Sequence, residues 1–123
     1  MSYAETISLV RGDTAPPLSM TLRDSNAAAS GQTLDPDNPL TWAPINLTGA
    51  TVLFKVRAIG SSVIKETLSG VVTDAPNGKV SMVWEPTTLD TEGQFEVETE
   101  ITFGDSTVQT VYDLVRLKVR ADF

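Results

Sequence analysis

The sequence predicts an all-β domain: about seven to nine short strands arranged as two antiparallel sheets packed face to face. Three observations carry this. Runs of alternating apolar and polar residues recur along the chain, glycine, proline, asparagine and aspartate clusters separate them, and helical spacing is sustained nowhere. At 123 residues, 41% hydrophobic and 20% charged, the composition is that of one globular domain. A small closed barrel is the alternative arrangement of the same strands.

The first strand is read in "ETISLV", 5–10, and ends in the turn Arg11-Gly12-Asp13 ahead of Pro16-Pro17. "LSMTLR", 18–23, follows. Residues 25–46, "SNAAASGQTLDPDNPLTWAPIN", break the rhythm; this long irregular insertion is expected to be either functional or disordered. Alternation returns in "ATVLFKVRA", with Val52, Phe54 and Val56 on one face, then in "SVIKET", 62–67. "GVVTD" and "KVSMVWE" flank Asn77-Gly78, whose residues tolerate positive φ, so 70–84 reads as a hairpin with Trp84 on the core face. In "QFEVETEITF", Phe95, Val97, Thr99, Ile101 and Phe103 share one face and Gln94, Glu96, Glu98, Glu100 and Thr102 the other, which predicts a single buried side. "TVQTVY", 107–112, and "VRLKVR", 115–120, complete the set. If the last run lies beside 94–103, Arg116, Lys118 and Arg120 face the glutamates, each pair contributing about 0.2–1 kcal/mol.

Charge and inventory exclude several functions. A formal charge of −7 repels phosphate backbones and anionic membranes, so neither nucleic acid nor a membrane is an expected partner. There is no cysteine, hence no disulfide or thiolate site, and no histidine, hence no Ser-His or Cys-His pair. Neither a secretory leader in "MSYAETISLVRG" nor an apolar run long enough to span a bilayer is read. The glutamates at 96, 98 and 100 stand at strand spacing on a solvated face, where a charge row is a surface and not a paired-carboxylate site. "DPDN", 35–38, lacks the glycine and distal glutamate of a calcium loop and reads as a turn. No enzyme activity, metal or cofactor is expected. Arg11-Gly12-Asp13 spells an integrin ligand but reads as a strand-ending turn, with Asp13 placed to accept from a nearby amide.

A strand ending in "GDT", then "LTGATVLFKVR" at 47–57, then "GVVTDAPNGKVSMVWEPTTLDTEGQFEVETEITFGDSTVQT" at 70–110, resembles the immunoglobulin-like domain of tailed-phage structural proteins, of the kind that begins phage baseplate upper proteins. The similar elements are the "LTGATV" strand entry, the "NGKV" hairpin with its tryptophan, and the "LDTEGQFEVE" corner. The resemblance implies an immunoglobulin-like sandwich and a non-enzymatic virion component assembled in the bacterial cytoplasm. It would dock onto other virion proteins in multiple copies, with self-association among the options, as a tail, baseplate or fibre adaptor. Decoration of the capsid is the alternative. A carbohydrate-binding sandwich is a further reading; it needs two coplanar exposed aromatics, for which Trp42, Tyr3 and Tyr112 are the candidates. Partner binding is assigned to the insertion, with Trp42 and Ile45 as apolar anchors, and to Tyr3 near the start of the chain. For Trp42 a role covering one end of the sandwich remains the competing reading.

Overall fold

A computed structural model describes residues 3–14, 17–85, 87–111 and 114–121, with side chains described from Thr6 onward. Eleven strand segments follow one another: β1 (Tyr3–Val10), β2 (Leu18–Thr21), β3 (Arg23–Ala28), β4 (Trp42–Pro44), β5 (Thr51–Ala58), β6 (Glu66–Ser69), β7 (Val71–Asp74), β8 (Lys79–Met82), β9 (Gly93–Thr102), β10 (Val108–Thr110) and β11 (Leu114–Arg120). The larger sheet runs β1-β11-β9-β5-β6, with β10 also on β9; the smaller runs β2-β8-β7; β3 and β4 form a two-stranded ribbon. Two sheets in this order make an immunoglobulin-like sandwich.

The segments outnumber the expected strands because long strands are interrupted. β2 and β3 are one run broken at Leu22, and β10 and β11 flank β9 on the same side, bridged by the Val111 amide donating to the Thr99 carbonyl at 2.9 Å. β6 and β7 are separated by Gly70 alone, where the chain leaves the larger sheet for the smaller. A Cβ at Gly70 would lie 2.7 Å from Cε2 of Phe54 and 2.9 Å from Cγ2 of Val80, so the corner passes directly over the core. One pairing departs from the antiparallel expectation: β1 runs parallel to β11.

The core is a single contiguous cluster. Val52, Phe54 and Val56 of β5, Val97 and Ile101 of β9, and Val115 and Leu117 of β11 meet Leu18 of β2 and Val80 and Met82 of β8. Trp84 and Leu89 close it, so Trp84 lies where the alternation puts it. Burying each of these aliphatic side chains contributes about 1.5–3 kcal/mol.

Three expectations need correction. The β7–β8 hairpin forms, but its connection is a 3-10 turn at Ala75–Asn77 in which only Gly78 is left-handed, φ +69°, so Asn77 needs no positive φ. "SVIKET" is not a strand throughout: β6 starts at Glu66, and Val63 and Ile64 sit in an exposed loop shaped by Gly60, φ +88°, and by the Val63 amide donating to Ser61 Oγ. The supposedly irregular insertion is ordered. It contains β3, a 3-10 turn at Pro39–Thr41 started by Asn38, whose side chain accepts from the Leu40 amide, and β4.

Candidate docking surfaces

The ribbon grows out of the sandwich without a joint. The Leu22 amide donates to the Gly78 carbonyl at 2.8 Å, and the Leu22 carbonyl accepts from the Ile45 amide at 2.9 Å. Along an extended strand, one residue's N–H and C=O point to the same side, so β4 takes over from β8 as partner on the same flank. Gly78 sits at the junction, where an added Cβ would lie 2.7 Å from the Leu22 carbonyl oxygen and 2.8 Å from that of Ile45.

Within the ribbon, Trp42 is 2% exposed. Its Nε1 donates to the Asp35 carbonyl at 2.9 Å, and its own carbonyl accepts from Arg23 Nη1 at 3.1 Å. Thr41 Oγ1 accepts from the Asp35 amide and donates to the Asn38 carbonyl, which draws residues 35–41 together beside the indole. Trp42 stands apart from the contiguous core and acts as the nucleus of the insertion itself. Ile45 is 6% exposed and belongs to the core. Neither can serve as the exposed apolar anchor expected of it, because presenting it to a partner would require opening the ribbon or the core. Tyr3 begins β1, opposite Leu114, and its side chain lies outside those described; Tyr112 also lies outside the described residues.

Other apolar side chains reach solvent, Val108 among them. In the ribbon they are Leu34 and Leu40, the latter 74% exposed; on the outer face of the smaller sheet, Val71 and Val83; in the β5–β6 loop, Ile59, Val63 and Ile64. Alternation already sets Val83 opposite the core face of Val80, Met82 and Trp84, and the sequence singles out none of the rest. Nothing local marks the loop residues, since an apolar residue in a turn-rich segment looks alike whether it tucks in or points out. Beside the ribbon, Ser25, Asn26, Pro36 and Asp37 line an open concavity of about 380 Å³. "DPDN" is a turn closed on itself: Asp35 Oδ1 accepts from the Asp37 amide.

The outer face of the larger sheet carries an ion-pair ladder. Arg116 stands opposite Glu96 across β11 and β9, as the strand pairing requires, but Lys118 meets Gln94. On the other flank, in pairings not expected from the sequence, Arg57 lies opposite Glu96 and Lys55 opposite Glu98 across β5 and β9. Arg57 reaches Glu96 Oε1 at 2.7 Å and Lys55 Nζ reaches Glu100 Oε2 at 2.8 Å. Walled between two arginines, Glu96 is 4% exposed, so β9 is covered on both faces at this point, contrary to the single buried side expected. The hydrogen bond to Glu100 holds the Lys55 ammonium above its ordinary value. At the end of the sandwich bearing the β5–β6 loop, the bond from Lys65, joined by one from Thr91, holds Asp90 below the usual carboxylate range. Bonds from the Thr107 hydroxyl and amide do the same for Asp105.

Arg11-Gly12-Asp13 is the exposed turn it was read as. Gly12 has φ +87° and donates to the Leu89 carbonyl at 2.7 Å, and the Asp13 amide donates to the Val10 carbonyl at 3.1 Å. The main chain, and not the Asp13 carboxylate, supplies these bonds. Among the described residues no helix is long and apolar enough to cross a membrane, and no three histidine, cysteine, aspartate or glutamate side chains are grouped to hold a metal.

No family model and no curated protein matches the chain. Among solved structures, murine CRIg is similar, with 13% identity and a TM-score of 0.40 over 94% of this chain and 92% of that one.

Proposed function

We propose that this chain is a non-enzymatic structural subunit of a tailed-phage particle, an adaptor of the tail, baseplate or fibre that works by docking onto other virion proteins. The observation that carries the reading is the ordered ribbon: β3 and β4 project a tip with the exposed Leu34 and Leu40 from a sandwich whose strand runs on into it. A projection fixed to a rigid body suits docking, because little conformational freedom is lost on binding. The similarity of "GDT", "LTGATV" and "LDTEGQFEVE" to phage immunoglobulin-like domains supplies the setting.

The charged row supports a docking role over a catalytic one. Glu96 and Glu100 are engaged with Arg57 and Lys55 at close range, which occupies the oxygens that a general acid or base would need. Of the three aromatics the sugar-binding reading relies on, Trp42 is buried, while the side chains of Tyr3 and Tyr112 lie outside those described.

The test is to band phage particles from the source bacterium on a density gradient and probe them with antibody to the purified chain by mass spectrometry and immunogold microscopy. The expected result is the chain in the band, with gold on the tail. Particles free of the chain overturn the proposal, and gold over the head moves the role to capsid decoration.

A further inference from the structure

The sheets of this sandwich end in several unpaired strands, and they are not equally guarded. An exposed strand edge is a template for another chain, and proteins blunt it with brevity, charge, proline or a bulge. β6 is four residues long and carries Glu66, whose carboxylate accepts from Thr87 Oγ1, just after Lys65. β7 is four residues long, ends at Asp74 and leads to Pro76. The edge of β2 and β3 bears Arg23 and Asp24 and loses register between Asp24 and Ala28. β4 is three residues ending at Pro44, and β10 is three.

β1 is guarded only at its start, by Glu5 and a register shift between Tyr3 and Glu5; from Thr6 to Val10 it carries no charge, proline or bulge. It is eight residues long, holds no proline, lysine or arginine, and from Glu5 to Val10 keeps unbroken register with β11. Among the described residues nothing pairs with its other side. Its side chains alternate cleanly: Leu9 is buried and Ile7 packs against the core, while Thr6 and Ser8 are exposed on the face shared with Arg116 and Lys118.

We propose that β1 is an assembly edge, at which a second copy of this chain adds its own β1 antiparallel about a two-fold axis through Ile7. Because directly opposed residues in an antiparallel pair point to one face, this register sets Ile7 against its own symmetry mate and Thr6 against Ser8 of the other copy. Ile7 then meets Ile7 and hydroxyls meet hydroxyls, with Glu5 opposite Leu9 at each end of the contact, and the two larger sheets become one. The alternation of β1 is self-complementary only in registers of this kind; a slip by one residue would place Ile7 against a solvent-facing hydroxyl. The contact is one strand deep, about 20 Å long at roughly 3.3 Å per residue, and falls below the roughly 800 Å² per partner of a stable complex. It forms a weak dimer in solution that multiple copies on a particle would reinforce through high effective concentration. The inference is separable from the virion proposal: a particle-bound chain that stays monomeric would overturn this one and leave that one standing.

The test is sedimentation equilibrium from micromolar to millimolar protein, on the wild type and on a variant with Thr6→Glu and Ser8→Glu. These changes place carboxylates beside Arg116 and Lys118 of the same chain, which supports β1 in its own sheet, but set like charges face to face across the two-fold axis. The expected result is a concentration-dependent wild-type dimer and a variant that melts no lower yet is monomeric throughout. A second variant reads the register: the chain has no cysteine, so Thr6→Cys with Ser8→Cys should oxidise to covalent dimers, whereas Val71→Cys with Thr73→Cys on the guarded β7 edge should not. A wild type monomeric at millimolar concentration, or equal cross-linking from both edges, overturns the proposal.

Discussion

Glu96 shows how one residue can be read correctly and still be misjudged. Its place on the outward face of β9 follows from alternation alone, and its pairing with Arg116 follows from the charge pattern of the last strand. Its burial does not, because that depends on Arg57, which is distant in sequence and approaches from β5. Replacing Glu96 with alanine leaves two arginines on a crowded face without their shared carboxylate. The expected cost is about 1–3 kcal/mol, less than for a fully buried pair because Arg57 is 37% exposed and partly screened by water. A urea titration with an unchanged slope and a lowered midpoint checks it. Gly70 is a second case. In the sequence it merely opens the strand run "GVVTD", yet the space a Cβ would need is held by Phe54 and Val80. Gly70→Ala is therefore expected to destabilise by about 1–3 kcal/mol through overpacking, measurable in the same titration.

At the scale of elements, the strands that alternate and meet the core were legible: β5, β8, β9 and β11 all lie where the period-two pattern places them. The ribbon was not. "RDSNAA" has neither alternation nor β-branched residues, and its order comes from Trp42 and the loop beside it, not from propensity. The parallel placement of β1 was equally hidden, since strand direction depends on where a connection crosses and not on side-chain pattern. Trp42 supplies the prediction at this scale. With the indole outside the contiguous core, Trp42→Ala is expected to loosen the ribbon more than the sandwich. Hydrogen exchange should accelerate at the amides of 23–44 by at least tenfold, while those of β5 and β9 change little. Equal acceleration everywhere would mean that the ribbon and sandwich open as one unit.

At the scale of the whole molecule, three ion-pair and hydrogen-bond contacts tie stability to pH. Asp90 and Asp105 have folded-state values below 3.8, so their contribution is complete above that value and is lost as pH falls through the lower folded values. Lys55 is raised above 10.5, so its contribution is complete below that and is lost as pH rises through the folded value. The chain has no histidine, the side chain whose ordinary titration falls between these ranges. Thermal midpoints are expected to be flat from about pH 5.5 to pH 9 and to fall on either side. Asp105→Asn should reduce the acid-side slope, and a melting series across pH checks both.

The continuity of β2 through Leu22 into β3 has a mechanical meaning. An appendage on a flexible linker would swivel under load and absorb it. Here the same backbone is bonded first to β8, beneath the core, and then to β4, so tension at Leu40 is carried as shear along two hydrogen-bonded ladders in series. A pull on the ribbon would be passed along that backbone toward Leu18, which is buried between the sheets, as load on a cantilever passes into its wall.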